Sequence, residues 1–246
     1  MIKIRMQNQI LLKGSDALDL LHRISTVQIQ SLPLNQIQFS LILNPQGKIE
    51  CAFYTTRLSQ DTLQLQFSDD DQLTHQNKIL QTLEQYTFGE RYQITASAPT
   101  ADSHSESKIE FQLQNMIPEY GFEFLADGKT NPLDINLRDA IHDQKGCYPG
   151  QEVIEKIISI GSPPKRLCWL RLQSNDSTSK IIAPTPLCPT PIYSDADCKN
   201  AVGTLTRIQA PDAMAIIKKT HSSVDQILYV PNEPNTLQLK IIRTST

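Results

Sequence analysis

Two runs of alternating apolar residues face each other across a short turn, and this restricts the fold more than any other feature of the chain. Ile37, Phe39, Leu41 and Leu43 recur at every second position, Asn44-Pro45-Gln46-Gly47 follows, and Ile49, Cys51, Phe53 and Thr55 alternate again. A period of two marks a half-buried strand, and a turn-forming tetrapeptide between two such runs closes them into an antiparallel hairpin. Leu63-Gln-Leu65-Gln-Phe67 predicts a third strand. The segment before the hairpin has a different period. Ala17, Leu18, Leu20, Leu21 and Ile24 form a stripe at helical spacing, with Ser15 or Asp16 placed to cap it and Gly14 and Pro33 bracketing the segment. The expected fold class is α+β.

Farther along, Asp69-Asp70-Asp71 suits the positive end of a helix dipole better than a metal cluster, and Leu73, Ile79, Leu80, Leu83 and Tyr86 supply that helix with a buried face. A short strand is expected over 91–95, a surface linker over 96–108 and a strand over 109–113. Leu133, Leu137, Ala140 and Ile141 predict a second amphipathic helix that Gly146 would end. Beyond Ser162 the texture changes. Nine of the 15 prolines lie past position 160, and 166–172, 201–208, 213–218, 226–230 and 236–242 read as short strands. Many short strands between turn signals indicate a small β-barrel or sandwich, with Trp169 in its core. The expected boundary, near Gly161-Ser-Pro-Pro164, divides the chain into 1–160 and 161–246, with about 48–108 a candidate second lobe of the first region.

Composition excludes several classes. No run approaches the ~20 apolar residues of a membrane span, and the first residues lack the apolar core of a signal peptide. The five cysteines (51, 147, 168, 188 and 198) are odd in number and show no metal-type spacing, so a reduced, cytoplasmic chain without a structural metal is expected. Residues 1–160 carry 13 Lys and Arg against 20 Asp and Glu, and residues 161–246 carry 10 against 6. Such a modest basic excess is weak support for direct nucleic-acid contact. The 23 glutamines form no tract and receive no role from the sequence.

One segment carries chemistry: Lys145-Gly146-Cys147-Tyr148-Pro149-Gly150-Gln151-Glu152. A tight Tyr-Pro-Gly turn leads into a new helix or strand near Gln151. If it is a helix, its unpaired N–H groups stabilise an anion near Cys147, and Lys145 adds positive charge two residues away. Two readings of Cys147 stand side by side: a small buried residue between two elements, or a reactive thiol. His142 could neighbour the loop as a base, although a surface histidine is the simpler reading.

The same octapeptide resembles the K-G-C-[FY]-x-G-Q-E signature of the YgfZ family, folate-binding relatives of the glycine-cleavage T-protein that include mitochondrial iron–sulfur assembly factors. Gly14 to Val27 resembles that family's opening G-x-D-A-x-x-F-L-x-x-x-T-T-x-D, and Leu43-Asn-Pro-Gln-Gly-Lys48 resembles its L-x-P-Q-G-[KR] hairpin. Ile117-Pro-Glu-Tyr-Gly121 and Ala201-Val-Gly-Thr-Leu-Thr206 follow in family order. The resemblance implies a T-protein-like folate-binding region and a small C-terminal antiparallel β-barrel in a ring-like arrangement. Tetrahydrofolate or a derivative would sit in a central opening with the Cys147 loop at its edge.

It further implies a folate-binding accessory protein supporting iron–sulfur cluster assembly or repair, with indirect effects on tRNA modification. Its partners would be a folate and iron–sulfur client or assembly proteins. Cys147 would be the reactive or cluster-facing thiol, with Lys145 tuning it or meeting the folate tail. Gly146, Tyr148, Gly150, Gln151 and Glu152 would complete the loop. Two departures bear on activity. Glu50 stands near the place of the T-protein's catalytic aspartate, and Gln144 stands where the T-protein has a folate-contacting glutamate. A longer acid misplaces a proton-transfer group, and an amide hydrogen-bonds a pterin without contributing charge. The expectation is therefore against T-protein-type aminomethyl transfer. The alternatives are a folate-dependent one-carbon transferase and a non-enzymatic RNA- or protein-binding scaffold.

Overall fold

A computed structural model describes residues 8–67, 73–97, 106–125, 127–173, 190–232 and 235–245. They form two compact units: residues 1–103, 125–132 and 137–157 in one, and 104–124, 133–136 and 158–246 in the other. The Asp69–Asp71 cluster and Cys188 lie outside the described residues. No helix among the described residues is long and apolar enough to cross a membrane.

The first unit is a five-stranded antiparallel sheet with two helices packed on it. The strands are β1 (Asn8–Lys13), β2 (Ile37–Leu43), β3 (Ile49–Arg57), β4 (Thr62–Phe67) and β5 (Gln93–Ser97), in the order β2-β3-β4-β1-β5. Register places Ile10 opposite Leu65 and Leu12 opposite Leu63, so one face of the sheet presents a continuous apolar layer. Helix α1 (Ala17–Ile24) lays Ala17, Leu20, Leu21 and Ile24 on that layer, at the i, i+3, i+4, i+7 spacing of one helix face. Helix α2 (Thr74–Gln85) adds Ile79 and Leu83. Asp16 occupies the N-cap position of α1, but its side chain makes no capping bond. Its carboxylate instead accepts the Arg91 N–H (2.8 Å) and the Ser15 hydroxyl (2.8 Å).

The hairpin turn is as expected and is held from three sides. Asn44 Oδ1 accepts the N–H groups of Gln46 (3.0 Å) and Lys48 (2.9 Å), and Gly47 takes φ +69°. Asn44 also donates to the Gly128 carbonyl (3.3 Å), and Asn131 donates to the Gly47 carbonyl (3.0 Å). Gly150 closes the third side: a Cβ there would stand 2.4 Å from the Asn44 oxygen.

Two expected elements take another form. Residues 109–113 are not a strand; they belong to helix α3 (Glu106–Gln114), which also takes up the end of the expected linker. Ile109, Leu113 and Met116 pack together at helical spacing, whereas Phe111, which strand alternation would have buried with them, is 60% exposed. Residues 133–141 are not one amphipathic helix ending at Gly146. They form two 3-10 turns, Pro132–Ile135 and Arg138–Ala140, interrupted where Asn136 adopts φ +64°. The apolar positions are still buried, so their spacing reported burial correctly and continuity incorrectly.

The second unit is a closed antiparallel barrel built from β6 (Lys165–Leu172), β7 (Thr190–Tyr193), β8 (Ala201–Gln209), β9 (Asp212–Lys218), β10 (Ile227–Asn232) and β11 (Asn235–Thr244), in the order β10-β11-β6-β9-β8-β7. Two strands were not revealed by the sequence: β1 of the first unit, and in the barrel β7, only four residues long and containing Pro191. Cys168 and Leu170 of β6 join the interior cluster. Trp169 does not: it packs with Leu113, Leu167 and Met214 in a separate cluster, donating its indole N–H to Asp212 (3.0 Å).

A bulge between Leu205 and Arg207 lets two consecutive residues, Thr206 and Arg207, both be buried. The Arg207 guanidinium meets Glu119 (3.0 Å), Glu123 (2.9 Å) and the Ile117 carbonyl (2.7 Å), which pins the 117–123 loop to β8. Removing one partner of a buried ion network leaves uncompensated charge and costs ~3–5 kcal/mol. Arg207→Met is accordingly expected to lower the urea midpoint sharply, whereas the exposed pair of Lys199 and Asp197 can be broken with little effect.

Candidate functional site

The residues ahead of the cysteine loop open into a cavity of about 410 Å³ in the first unit. Gln28, Gln38, His142 and Gln144 supply its polar lining, Val27 and Ile141 its apolar lining, and Asp139 and Asp143 are acidic groups on it. Thr26 brings these segments together. Its hydroxyl donates to the Ala140 carbonyl (2.6 Å), its carbonyl accepts the His142 N–H (2.9 Å), and its N–H donates to the Leu41 carbonyl (2.9 Å). The end of α1, strand β2 and residues 140–142 are thereby fastened at one buried threonine.

Within the cavity wall, Gln28 Oε1 is buried and has no hydrogen-bond partner. A buried acceptor without a donor costs ~1–3 kcal/mol, so this atom suits a ligand N–H. The Gln38 amide donates to the Phe39 carbonyl (3.3 Å), and Asp143 is paired with Arg138. His142 Nδ1 accepts the Gln144 N–H (3.1 Å), which leaves its ring proton on Nε2. Of these residues, the sequence had singled out Gln144 and weighed His142. Gln28 and Gln38 were missed, since two glutamines among 23 carry no signal until a cavity selects them.

The Lys145–Glu152 loop follows directly. Cys147 is exposed and Gly146 has open space around it. Gly150 is required by its φ of +79° and by the close approach to Asn44. Helix α4 (Gln151–Ile160) begins at the expected place, with Glu152 in its first turn and Gln151 donating to Glu155 (2.6 Å). Tyr148 is buried, and burial followed by the nearby Glu155 charge pushes its phenol up to about 12. Glu50 is not among the residues lining the cavity. It lies on β3 and pairs with Lys78 of α2 (3.4 Å).

Lys145 is the unusual member. It is 5% exposed, its Nζ has no hydrogen-bond partner, and the amine lies 5.3 Å from the centre of the Tyr148 ring. Burial lowers its pKa from 10.5 to about 8, and Cys147 acts weakly in the opposite direction. A lysine depressed on folding is protonated more readily in the unfolded chain. Stability is therefore expected to rise as pH increases from about 8 to about 10.5 and to carry the full penalty below that window. Lys145→Met should remove this slope and stabilise the fold at pH 7 by on the order of 2 kcal/mol, read by urea denaturation across pH.

Comparison with known proteins supplies context for this geometry. Residues 1–103 match the family model described as the GCVT N-terminal domain. Comparison with curated proteins gave no match. Among solved structures, the chain is similar to the glycine cleavage system aminomethyltransferase T from Bartonella henselae. The TM-score is 0.73 at 14% identity, covering 96% of this chain and 83% of that one. The α+β sheet unit followed by a closed antiparallel barrel is therefore the fold of a glycine-cleavage T-protein.

Proposed function

We propose that this protein binds tetrahydrofolate or a close derivative in the glutamine-lined cavity and serves as an accessory factor for iron–sulfur cluster assembly or repair, with Cys147 as its reactive thiol. The observation that carries the folate reading is the orphaned Gln28 Oε1 in a cavity of about 410 Å³ within a T-protein fold. That volume falls in the ~300–1,000 Å³ range of small-molecule sites. A reduced pterin offers N–H donors and a carbonyl on one planar edge and, when bound, supplies nitrogens that carry one-carbon units. Gln28 would accept one of those N–H groups, and the Gln144 amide can both donate and accept. Val27 and Ile141 would face the ring. The covered Nζ of Lys145 favours a role in tuning the thiol over contact with a folate tail.

The iron–sulfur part of the proposal rests on the resemblance of Lys145–Glu152 to the YgfZ signature. In this reading the exposed Cys147 thiol meets a client or assembly protein, and the folate cavity beside it couples that encounter to one-carbon status. Aminomethyl transfer is the second reading, favoured by the fold shared with aminomethyltransferase T. Against it, the acid nearest the place of the T-protein aspartate, Glu50, is engaged by Lys78.

Anaerobic calorimetry with tetrahydrofolate tests the folate reading. Saturable one-site binding is expected. Gln28→Leu should weaken it about tenfold, the loss of one buried hydrogen bond of ~1.4 kcal/mol, and Cys147→Ser should leave it within about twofold. Absence of binding would overturn the folate assignment, and turnover of an aminomethyl donor would favour the transferase.

A further inference from the structure

The sheet of the first unit has two edges, and an edge left unpaired presents backbone N–H and C=O groups to any strand that reaches it. The two edges differ. On the β2 edge, Ser25 bridges to Ile42 and the Thr26 N–H donates to the Leu41 carbonyl (2.9 Å), so part of that backbone is taken up. On the other edge, β5 pairs with β1 from Gln93 opposite Lys13 to Ser97 opposite Gln9, and no strand among the described residues pairs with its second side. Native edge strands are blunted by charged residues, proline or a bulge. Gln93-Ile-Thr-Ala-Ser97 contains no charge and no proline, and its register with β1 runs without a shift. Gln93, Ile94, Thr95 and Ala96 are all exposed.

Side chains alternate across a strand, and each face of β5 carries a cavity at its first residues. Leu12, opposite Ile94, belongs to the apolar layer under the helices, so Ile94 is on the helix face. There a cavity of about 380 Å³ is lined by Leu80 and Glu84 of α2 and by Thr87, Glu90, Tyr92 and Ile94. Ile94 remains 39% exposed. Glu90 is held by Arg23 (2.6 Å), whereas Glu84 has no ion-pair partner among the described residues. Lys13 and Gln93, opposite each other, are on the other face, and both line a second cavity of about 410 Å³ with Asp61 and Arg91. The Asp61 carboxylate already accepts the hydroxyls of Ser59 (2.6 Å) and Thr62 (3.0 Å), so the groups this cavity offers a ligand are mainly cationic.

We propose that the open edge of β5 takes an extended segment of a partner protein as a sixth strand, with alternate side chains of that segment entering the two cavities. An apolar or basic residue fits beside Ile94 and Glu84, and an acidic residue fits beside Lys13 and Arg91. Backbone hydrogen bonds to the edge supply affinity, and two pockets of opposite charge on opposite faces fix the register, because a slip of one residue would exchange them. A second copy of this chain does not meet these demands. Antiparallel pairing of two β5 strands centred on Thr95 sets Ala96 opposite Ile94, which brings only a methyl group to the cavity on the helix face. The surface is separate from the glutamine-lined cavity, since three strands lie between β5 and β2, which carries Gln38. It therefore stands whether or not that cavity binds a folate.

The test is selection of random peptides displayed on phage against the full chain, followed by fluorescence anisotropy of a labelled selected peptide. The enriched sequences should alternate apolar or basic residues with acidic ones. Glu84→Lys and Lys13→Glu, both at exposed positions, should each weaken that peptide about three- to tenfold, while Lys199→Glu on the second unit should leave it within about twofold. Methylation of the peptide's own amides separates strand addition from capture of a side chain alone. Methyl groups on one alternate set of amides should abolish binding, and on the other set should leave it within about twofold, because only one side of an added strand meets the edge. Circular dichroism establishes that each variant is folded. No enriched peptide, a peptide indifferent to either charge reversal, or one that tolerates both methylation patterns would overturn the inference. A concentration-dependent dimer in sedimentation velocity that Ile94→Lys dissolves would also overturn it, by giving the edge to a second copy.

Discussion

The geometry of the candidate site depends on the hydrogen bonds of Thr26. This residue is fully buried at the end of α1 and joins Leu41 of β2 to Ala140 and His142 of the segment that leads to the cysteine loop. Buried polar groups are held to stringent pairing, so a threonine with its hydroxyl, N–H and carbonyl all engaged tolerates little displacement. Gln28 lies two residues beyond it, and Gln144 and Lys145 lie two and three residues beyond His142. Segments more than a hundred residues apart in sequence are thereby brought to one cavity.

A second constraint comes from the hairpin turn. Asn44 organises the turn internally, Asn131 ties down Gly47, and Gly150 packs where no side chain fits. The turn and the cysteine loop therefore brace each other. This explains why a loop with Cys147 and Gly146 exposed can begin α4 at a defined residue.

Much of the fold was legible because the informative patterns were local. The period of two in residues 37–43 and 49–55, the helical stripe of 17–24 and the alternation in the C-terminal third each reported a buried face that the tertiary structure uses. The failures came where one pattern serves two structures. Ile109-Glu-Phe-Gln-Leu113 alternates like a strand, but Ile109 and Leu113 are also four apart, and packing with Met116 settles on the helix. Leu133 to Ile141 has helical spacing, yet Asn136 in the left-handed region breaks the run. Strand β7 was invisible because four residues containing a proline show no alternation, and only pairing with β8 and β10 makes them a strand.

Neighbouring residues alone specify the elements whose burial pattern repeats at short range, the turn at Asn44–Gly47 and the glycine at 150, because backbone preferences and amphipathic periods are local. They also mark Lys145 to Glu152 as the segment carrying chemistry. Tertiary packing settled which glutamines face a cavity, that the Lys145 amine is buried, and that Glu50 is held by Lys78. These depend on distances between segments far apart in the chain, and long-range packing and hydrogen bonding set those distances without leaving a local trace in the sequence.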